Sequence, residues 1–124
     1  MTLTRVLRRI EVDGAGPTRV SVTVRNFFTR ATLTIDFVID VALKESVVPA
    51  FQLRKIGIQP EGKRPYQLAN GHFEEYEFAF AEISLLDETT VGRLLFGPED
   101  AEPTLGAINL LAAGFSVGFK SEAQ

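Results

Sequence analysis

Between residues 18 and 40 apolar and polar positions alternate with a period of two. In "TRVSVTVRN" the even positions Val20, Val22 and Val24 are apolar, and in "ATLTIDFVID" the odd positions Leu33, Ile35, Phe37 and Ile39 take over. Alternation of this kind marks a strand with one buried face, so the stretch predicts two strands joined through "RNFFTR". A second hairpin is predicted at Asn70 and Gly71, because a two-residue turn needs positive φ at both central positions. The strand that follows alternates at Tyr76, Phe78 and Phe80. Its apolar parity then moves to Ile83 and Leu85, which predicts a bulge near Ala81 and Glu82.

Only two segments carry a helical pattern. "AFQLRKIG" ends on Gly57 and "AINLLAAG" on Gly114, each glycine standing where a left-handed C-terminal cap would. The second segment places Ile108, Leu111 and Ala112 on one apolar face. "FGPEDAEP" between the strands and this helix is a proline-rich acidic loop, and no internal repeat is present. Many short strands with two short helices predict an all-β, mostly-β domain built as a sandwich or closed barrel.

Composition narrows the function classes. A chain of 124 residues is one domain with room for a core, and its 45% apolar content is that of a globular protein. The formal charge of −3, with basic residues scattered among acids, leaves no footprint for a phosphate backbone, so nucleic acid is not an expected partner. Cysteine is absent, which removes disulfides, thiolate metal sites and cysteine nucleophiles together. "MTLTRVLRRIEV" interrupts its apolar residues with arginines and does not read as a signal peptide. The longest apolar run, "INLLAAGFSVGF", falls well short of the ~20 residues that span a bilayer. The expectation is a soluble cytoplasmic protein with no membrane partner.

Several short motifs invite chemistry and support little of it. "GFSVG", residues 114–118, matches a nucleophile elbow, yet the acid and histidine that should follow it are missing and His72 lies upstream. His72 itself reads as a solvated hairpin residue, and no metal site is expected, since further ligands at fixed spacing are lacking. "DGAGPTRV" lacks the third glycine and the strand-to-helix setting of a phosphate loop, and reads as a surface turn. No cofactor is expected. Asp36 and Asp40 share a strand face but stand about 13 Å apart at the usual rise per residue, too far to share a proton.

The order of features is more telling than any one of them. An apolar strand ends on Asp40, "SVVP" closes on Pro49, and a short helix ends in "KIGIQP". The hairpin "YQLANGHFEEYEF", the loop "FGPEDAEP" and "TLGAINLLAAGFSV" follow. This order resembles the retropepsin-like aspartic proteases, especially their small single-domain members, over about residues 18–119 of one domain spanning 1–124. The resemblance implies a closed acid-protease-like barrel with a flap hairpin and two short helices. It places the catalytic aspartate at Asp40, nine residues before Pro49. It makes Leu68, Ala69, Asn70, Gly71 and His72 the flap, and Leu105 and Gly106 the support beneath the active-site loop, with Thr104 a departure. Family members supply one aspartate per subunit, so the resemblance also implies a homodimer that takes a peptide or protein substrate.

The departures lie in the loop itself. "Asp-Val-Ala" stands where the family carries Asp-Thr-Gly, so Val41 lacks the hydroxyl that links the two loops, and Ala42 adds a Cβ where glycine is expected. If that backbone must be left-handed, the alanine costs roughly 1–2 kcal/mol. Leu43 adds further bulk. The leading expectation is a dimer with impaired or lost catalysis that binds extended peptides in an inter-subunit cleft. Two alternatives stand beside it: an active aspartic endopeptidase with an Asp40 pair and an activated water, and a structural β domain that mediates assembly.

Overall fold

The computed structural model describes residues 1–119. The chain is mostly β with two short helices. The strands are β1 (Arg8–Val12), β2 (Arg19–Arg25), β3 (Thr32–Ile39), β4 (Ser46–Pro49), β5 (Gly62–Gln67), β6 (Phe73–Leu85), β7 (Glu88–Gly97), β8 (Thr104–Leu105) and β9 (Phe115–Phe119). The helices are α1 (Ala50–Lys55) and α2 (Ala107–Ala112). Seven strands lie in the order β2-β3-β8-β4-β7-β6-β5, and β2 pairs as well with the far end of β6, Thr23–Arg25 against Glu82–Ser84. β1 and β9 form a separate parallel pair.

The alternating hairpin forms as its pattern requires. β2 and β3 pair antiparallel from Arg19↔Val38 to Arg25↔Thr32, burying Val22, Val24 and Phe37 completely. Leu53, Val48, Ile83, Leu94, Leu105 and Leu110 close over them to make the core. Sealing side chains of this size removes them from water at about 1.5–3 kcal/mol each, the main favourable term available to a chain with no disulfide.

Two local expectations are corrected. No bulge interrupts β6: Phe78–Leu85 faces Leu95–Glu88 residue for residue, with none skipped. The small residues Ala79 and Ala81 carry the inward parity into Ile83 and Leu85, while Tyr76, Phe78 and Phe80 lie on the opposite face. There Phe78 and Phe80 meet edge to face, their centroids 6.0 Å apart, and the Arg93 guanidinium covers both rings. Aromatic size disguises a continuous alternation whose core-facing half begins with alanine.

The Asn70 and Gly71 turn is wider than the two-residue form. Leu68 N–H donates to His72 O at 2.7 Å, leaving Ala69, Asn70 and Gly71 between them, and only Gly71 has positive φ, at 87°. Asn70 instead uses its side chain, accepting the His72 N–H at 2.9 Å. The tight two-residue turn sits between β6 and β7, where Leu86 and Asp87 take φ of 47° and 68° inside the Leu85↔Glu88 pair. Asp87 tolerates that conformation, but for Leu86 it costs about 1 kcal/mol or more.

Gly57 and Gly114 follow the helices with φ of 76° and 96°, as their spacing predicts. The apolar face of α2 is the correction here. Ile108 and Leu111 are 51% and 59% exposed and Ala112 faces outward too, while Asn109 and Leu110 are buried. A polar side chain decides the rotation of this helix, for reasons that emerge at the Asp40 loop.

Candidate functional site

β8 runs between β3 and β4. It pairs parallel with β3 at Val38↔Thr104 and Ile39↔Leu105, and antiparallel with β4 at Val47↔Thr104. Asp40 is the first residue past β3, its backbone N–H donating to Leu105 O at 3.1 Å. The chain then reverses at once: Leu43 N–H donates to Asp40 O at 3.2 Å, and Ala42 N–H donates to the Asp40 carboxylate oxygen Oδ1 at 3.0 Å. The acid therefore does the work of the polar turn residue that Val41, Ala42 and Leu43 do not supply, a side-chain turn of the kind aspartate forms readily.

The loop between β3 and β4 is braced from below by α2. The first N–H groups of a helix have no partner inside it. Here Ala107 N–H donates to Leu43 O at 2.8 Å, and Ile108 N–H to Lys44 O at 3.1 Å. Gly106 makes this approach feasible, because a Cβ on it would run into the Glu45 backbone carbonyl. Leu105 O accepts the Asp40 N–H, and Gly106 lies against the Glu45 carbonyl where the loop returns to β4.

Beneath the loop lies a buried polar link that sequence reasoning missed. Ser46, at the start of β4, is fully buried, and its hydroxyl oxygen accepts the Gly106 N–H and an Asn109 amide hydrogen, both at 2.9 Å. Asn109 also donates to Arg93 O at 3.0 Å, so its amide ties α2 to β4 and to β7. Gly92 leaves the space that the Asn109 side chain fills. An unpaired buried amide costs about 1–3 kcal/mol, so with Asn109 inward its bonds to Ser46 and Arg93 O hold the helix in this rotation, with Ile108 and Leu111 outward. The signal was present in "AINLLAAG": a lone asparagine in an otherwise apolar helix. Glu45 adds an ion pair with Arg93 at 3.6 Å.

Of the loop residues, Val41 and Leu43 are 46% and 45% exposed, and Ala42 is exposed between them. Ala42 does not take positive φ; among the described residues only Arg30, Leu86 and Asp87 do so without being glycine. The left-handed strain anticipated for alanine here is thus absent.

Two hollows meet at Ala42. The larger, about 630 Å³, opens between the loop and the β5–β6 hairpin and is walled by Leu43, Val47, Tyr66, Leu68, Tyr76 and Leu95. Tyr66 and Tyr76 meet edge on at 6.1 Å. Burial, with the negative charge of Glu74 beside it, pushes the Tyr76 phenol up from its ordinary pKa. Of the hairpin residues singled out from sequence, Leu68 lines this groove, while Ala69, Asn70, Gly71 and His72 stand exposed at the tip. Asp40 borders the smaller hollow, about 240 Å³, together with Gly14, Gly16, Val117 and Phe119.

The remaining candidates stay apart. Asp36 is exposed opposite Ser21 in the β2–β3 hairpin. "GFSVG" runs from the turn at Gly114 into β9, an ordinary strand, and "DGAGPT" is an exposed turn in which Asp13 accepts the Ala15 N–H. Among the described residues no group of three or more His, Cys, Asp or Glu side chains is gathered, and no helix is long and apolar enough to cross a membrane. No protein-family model matches the chain, and no curated protein sequence matches it.

Proposed function

We propose that the chain is a retropepsin-like homodimer in which two Asp40 loops meet across a two-fold axis and form the floor of a cleft for an extended peptide. The observation that carries this reading is the loop itself. A single carboxylate is held by its own turn and by α2, with the apolar surface of Val41, Ala42 and Leu43 left open beside it. Three consecutive exposed apolar residues on a rigid loop mark an interface more readily than a free surface. The β2–β6 pairing and the passage of β8 between β3 and β4 support an acid-protease-like barrel. The groove under the β5–β6 hairpin, with Leu68 in its wall, supports that hairpin as a flap over bound peptide.

In this reading catalysis is impaired or lost. Val41 keeps the shape of threonine without the hydroxyl that would bond across the axis, so the two loops meet through hydrocarbon alone. The Ala42 methyl and the Leu43 side chain occupy space at the point where a scissile bond would approach, and turnover tolerates displacement far less than folding does. Binding survives because strand addition uses main-chain hydrogen bonds and side-chain pockets rather than an aligned water.

Sedimentation across a concentration series, followed by binding and cleavage assays with a peptide library, tests the proposal. A dimer that binds peptides with little or no cleavage is expected, and Val41→Glu should shift it to monomer. A wild-type protein that stays monomeric at every concentration, or a dimer that ignores every peptide, overturns it.

One observation favours an active endopeptidase as a second reading. Ala42 sits without backbone strain and its N–H reaches Asp40, so the main chain around the acid accommodates alanine. Two carboxylates in contact cannot both ionise, and the charged member of such a pair would take a proton from the water attacking the peptide carbonyl. Hydrolysis abolished by Asp40→Asn would establish this reading. Restoring Val41→Thr and Ala42→Gly separates a decayed enzyme, which gains activity, from a β domain used only for assembly, which gains none.

A further inference from the structure

The segment before β1 carries no regular structure, and its residues 1–7 are exposed, yet it makes specific contacts with α2. Arg5 donates from Nη1 to Ala112 O at 2.9 Å and from Nη2 to Ala113 O at 3.0 Å. These carbonyls close the C-terminal end of the helix, where Asn109 O and Leu111 O already accept from Ala113 N–H and Gly114 N–H. The guanidinium occupies the place a Cβ on Gly114 would need, so the left-handed glycine both ends the helix and admits its cap. A cation at this end also meets the negative pole of the helix. Arg5 is paired with Glu88 at 3.6 Å, and Arg8 fixes the arm again by donating to Leu86 O, with its guanidinium 5.3 Å from the Phe115 ring centre.

A helix of six residues does not persist by its own propensity. Besides Asn109 and Leu110, which anchor its middle, α2 is bonded from outside at both ends, by Arg5 at one and by Leu43 O and Lys44 O of the Asp40 loop at the other. About 9 Å of helix separates the two sets of contacts. We propose that the N-terminal arm is a strap which, through Arg5 as a positioning residue and α2 as the rigid link, sets the order of the Asp40 loop. Displacing or clipping the arm then loosens the loop without touching it. The inference concerns contacts within one chain and holds whether or not a second copy or a peptide binds.

Amide hydrogen exchange read residue by residue in the full chain tests the strap. In Arg5→Ala the amides of Ala42, Ala107 and Ile108 should exchange about tenfold faster or more, while those of Val22 and Val24 in β2 keep their parent rates. Arg9→Ala is the control: it removes the same charge, but Arg9 pairs with Glu11 and lies over Gly118, away from α2, so it should leave the three amides unchanged. Unchanged loop amides in Arg5→Ala, equal acceleration of every slow amide, or the same effect from Arg9→Ala would each overturn the proposal. Should the alanine variant not fold, Arg5→Lys carries the comparison. It keeps the charge and loses the two-pronged donor, and acceleration confined to the three amides supports the strap where uniform or absent acceleration refutes it.

Discussion

α1 and α2 are each six residues long, and each gives way to a left-handed glycine, yet they are held by opposite means. Both lack a side-chain N-cap and close the last turn on their own carbonyls, Ile56 N–H and Gly57 N–H donating to Leu53 O and Arg54 O in α1 as Ala113 N–H and Gly114 N–H do to Asn109 O and Leu111 O in α2. The anchor of α1 is Leu53, fully buried in the core. α2 buries an asparagine beside Leu110, turns its other apolar residues to solvent, and spends its end groups on neighbouring segments. The difference separates two ways of placing a helix. Apolar packing holds a helix against a core but tolerates small slides, whereas hydrogen bonds fix particular atoms. The helix that touches the Asp40 loop is the one placed by hydrogen bonds.

Substitutions that break this contrast have a graded expectation. Leu53→Ala should cost about 3 kcal/mol in urea denaturation, by removing buried methyl groups and leaving a cavity under α1, and should leave the Asp40 loop as it was. Asn109→Ala should cost less, about 2 kcal/mol, since Ser46 and Arg93 O each lose a buried partner, but it should disturb the loop more. Amide shifts of Ala42 and Ala107 read that displacement, and an undisturbed loop in Asn109→Ala would erase the distinction between the helices. Ile108→Ser and Leu111→Ser should stay within ~0.5 kcal/mol for the isolated chain, because both side chains already face water. A cost as large as that of Leu53→Ala would mean that the outward face of α2 is covered in solution.

The Tyr76 phenol gives the smallest effect, and it concerns the groove rather than the helices. Its pKa is higher folded than unfolded, so its contribution to stability is complete below the ordinary tyrosine pKa near 10 and is lost as pH rises through the folded value. Tyr76→Phe should therefore flatten the alkaline slope of stability, as denaturation midpoints across that range would report.

What could be read from the chain follows the range of the interactions involved. The β2–β3 hairpin is written in neighbouring residues, since Val20, Val22 and Val24 alternate against Leu33, Ile35 and Phe37 and pair as that pattern asks. The glycines after both helices are local signals too, and both stand where expected. The β6 alternation is hidden in the sequence because Ala79 and Ala81 carry too little apolar surface to outweigh the aromatics on the opposite face. The rotation of α2 was misread because it depends on Ser46, 63 residues before Asn109. At the candidate site, Asp40, Leu105 and Gly106 were singled out by a likeness in feature order, and the structure sets the three side by side at the end of β3 and β8. The bracing by Ser46, Asn109 and Arg5 could not be singled out so, since each contact joins segments far apart in the chain.

The Leu86 and Asp87 turn bears on how the chain assembles. β6 and β7 are the two longest strands and are adjacent in the chain, so their hairpin closes the smallest loop for the most pairing, and topology favours it as an early folding nucleus. Yet Leu86 at its apex resists the handedness that zipping requires. Replacing the turn pair through Leu86→Asn and Asp87→Gly should therefore quicken refolding more than it slows unfolding, which would make this surface corner a governor of speed.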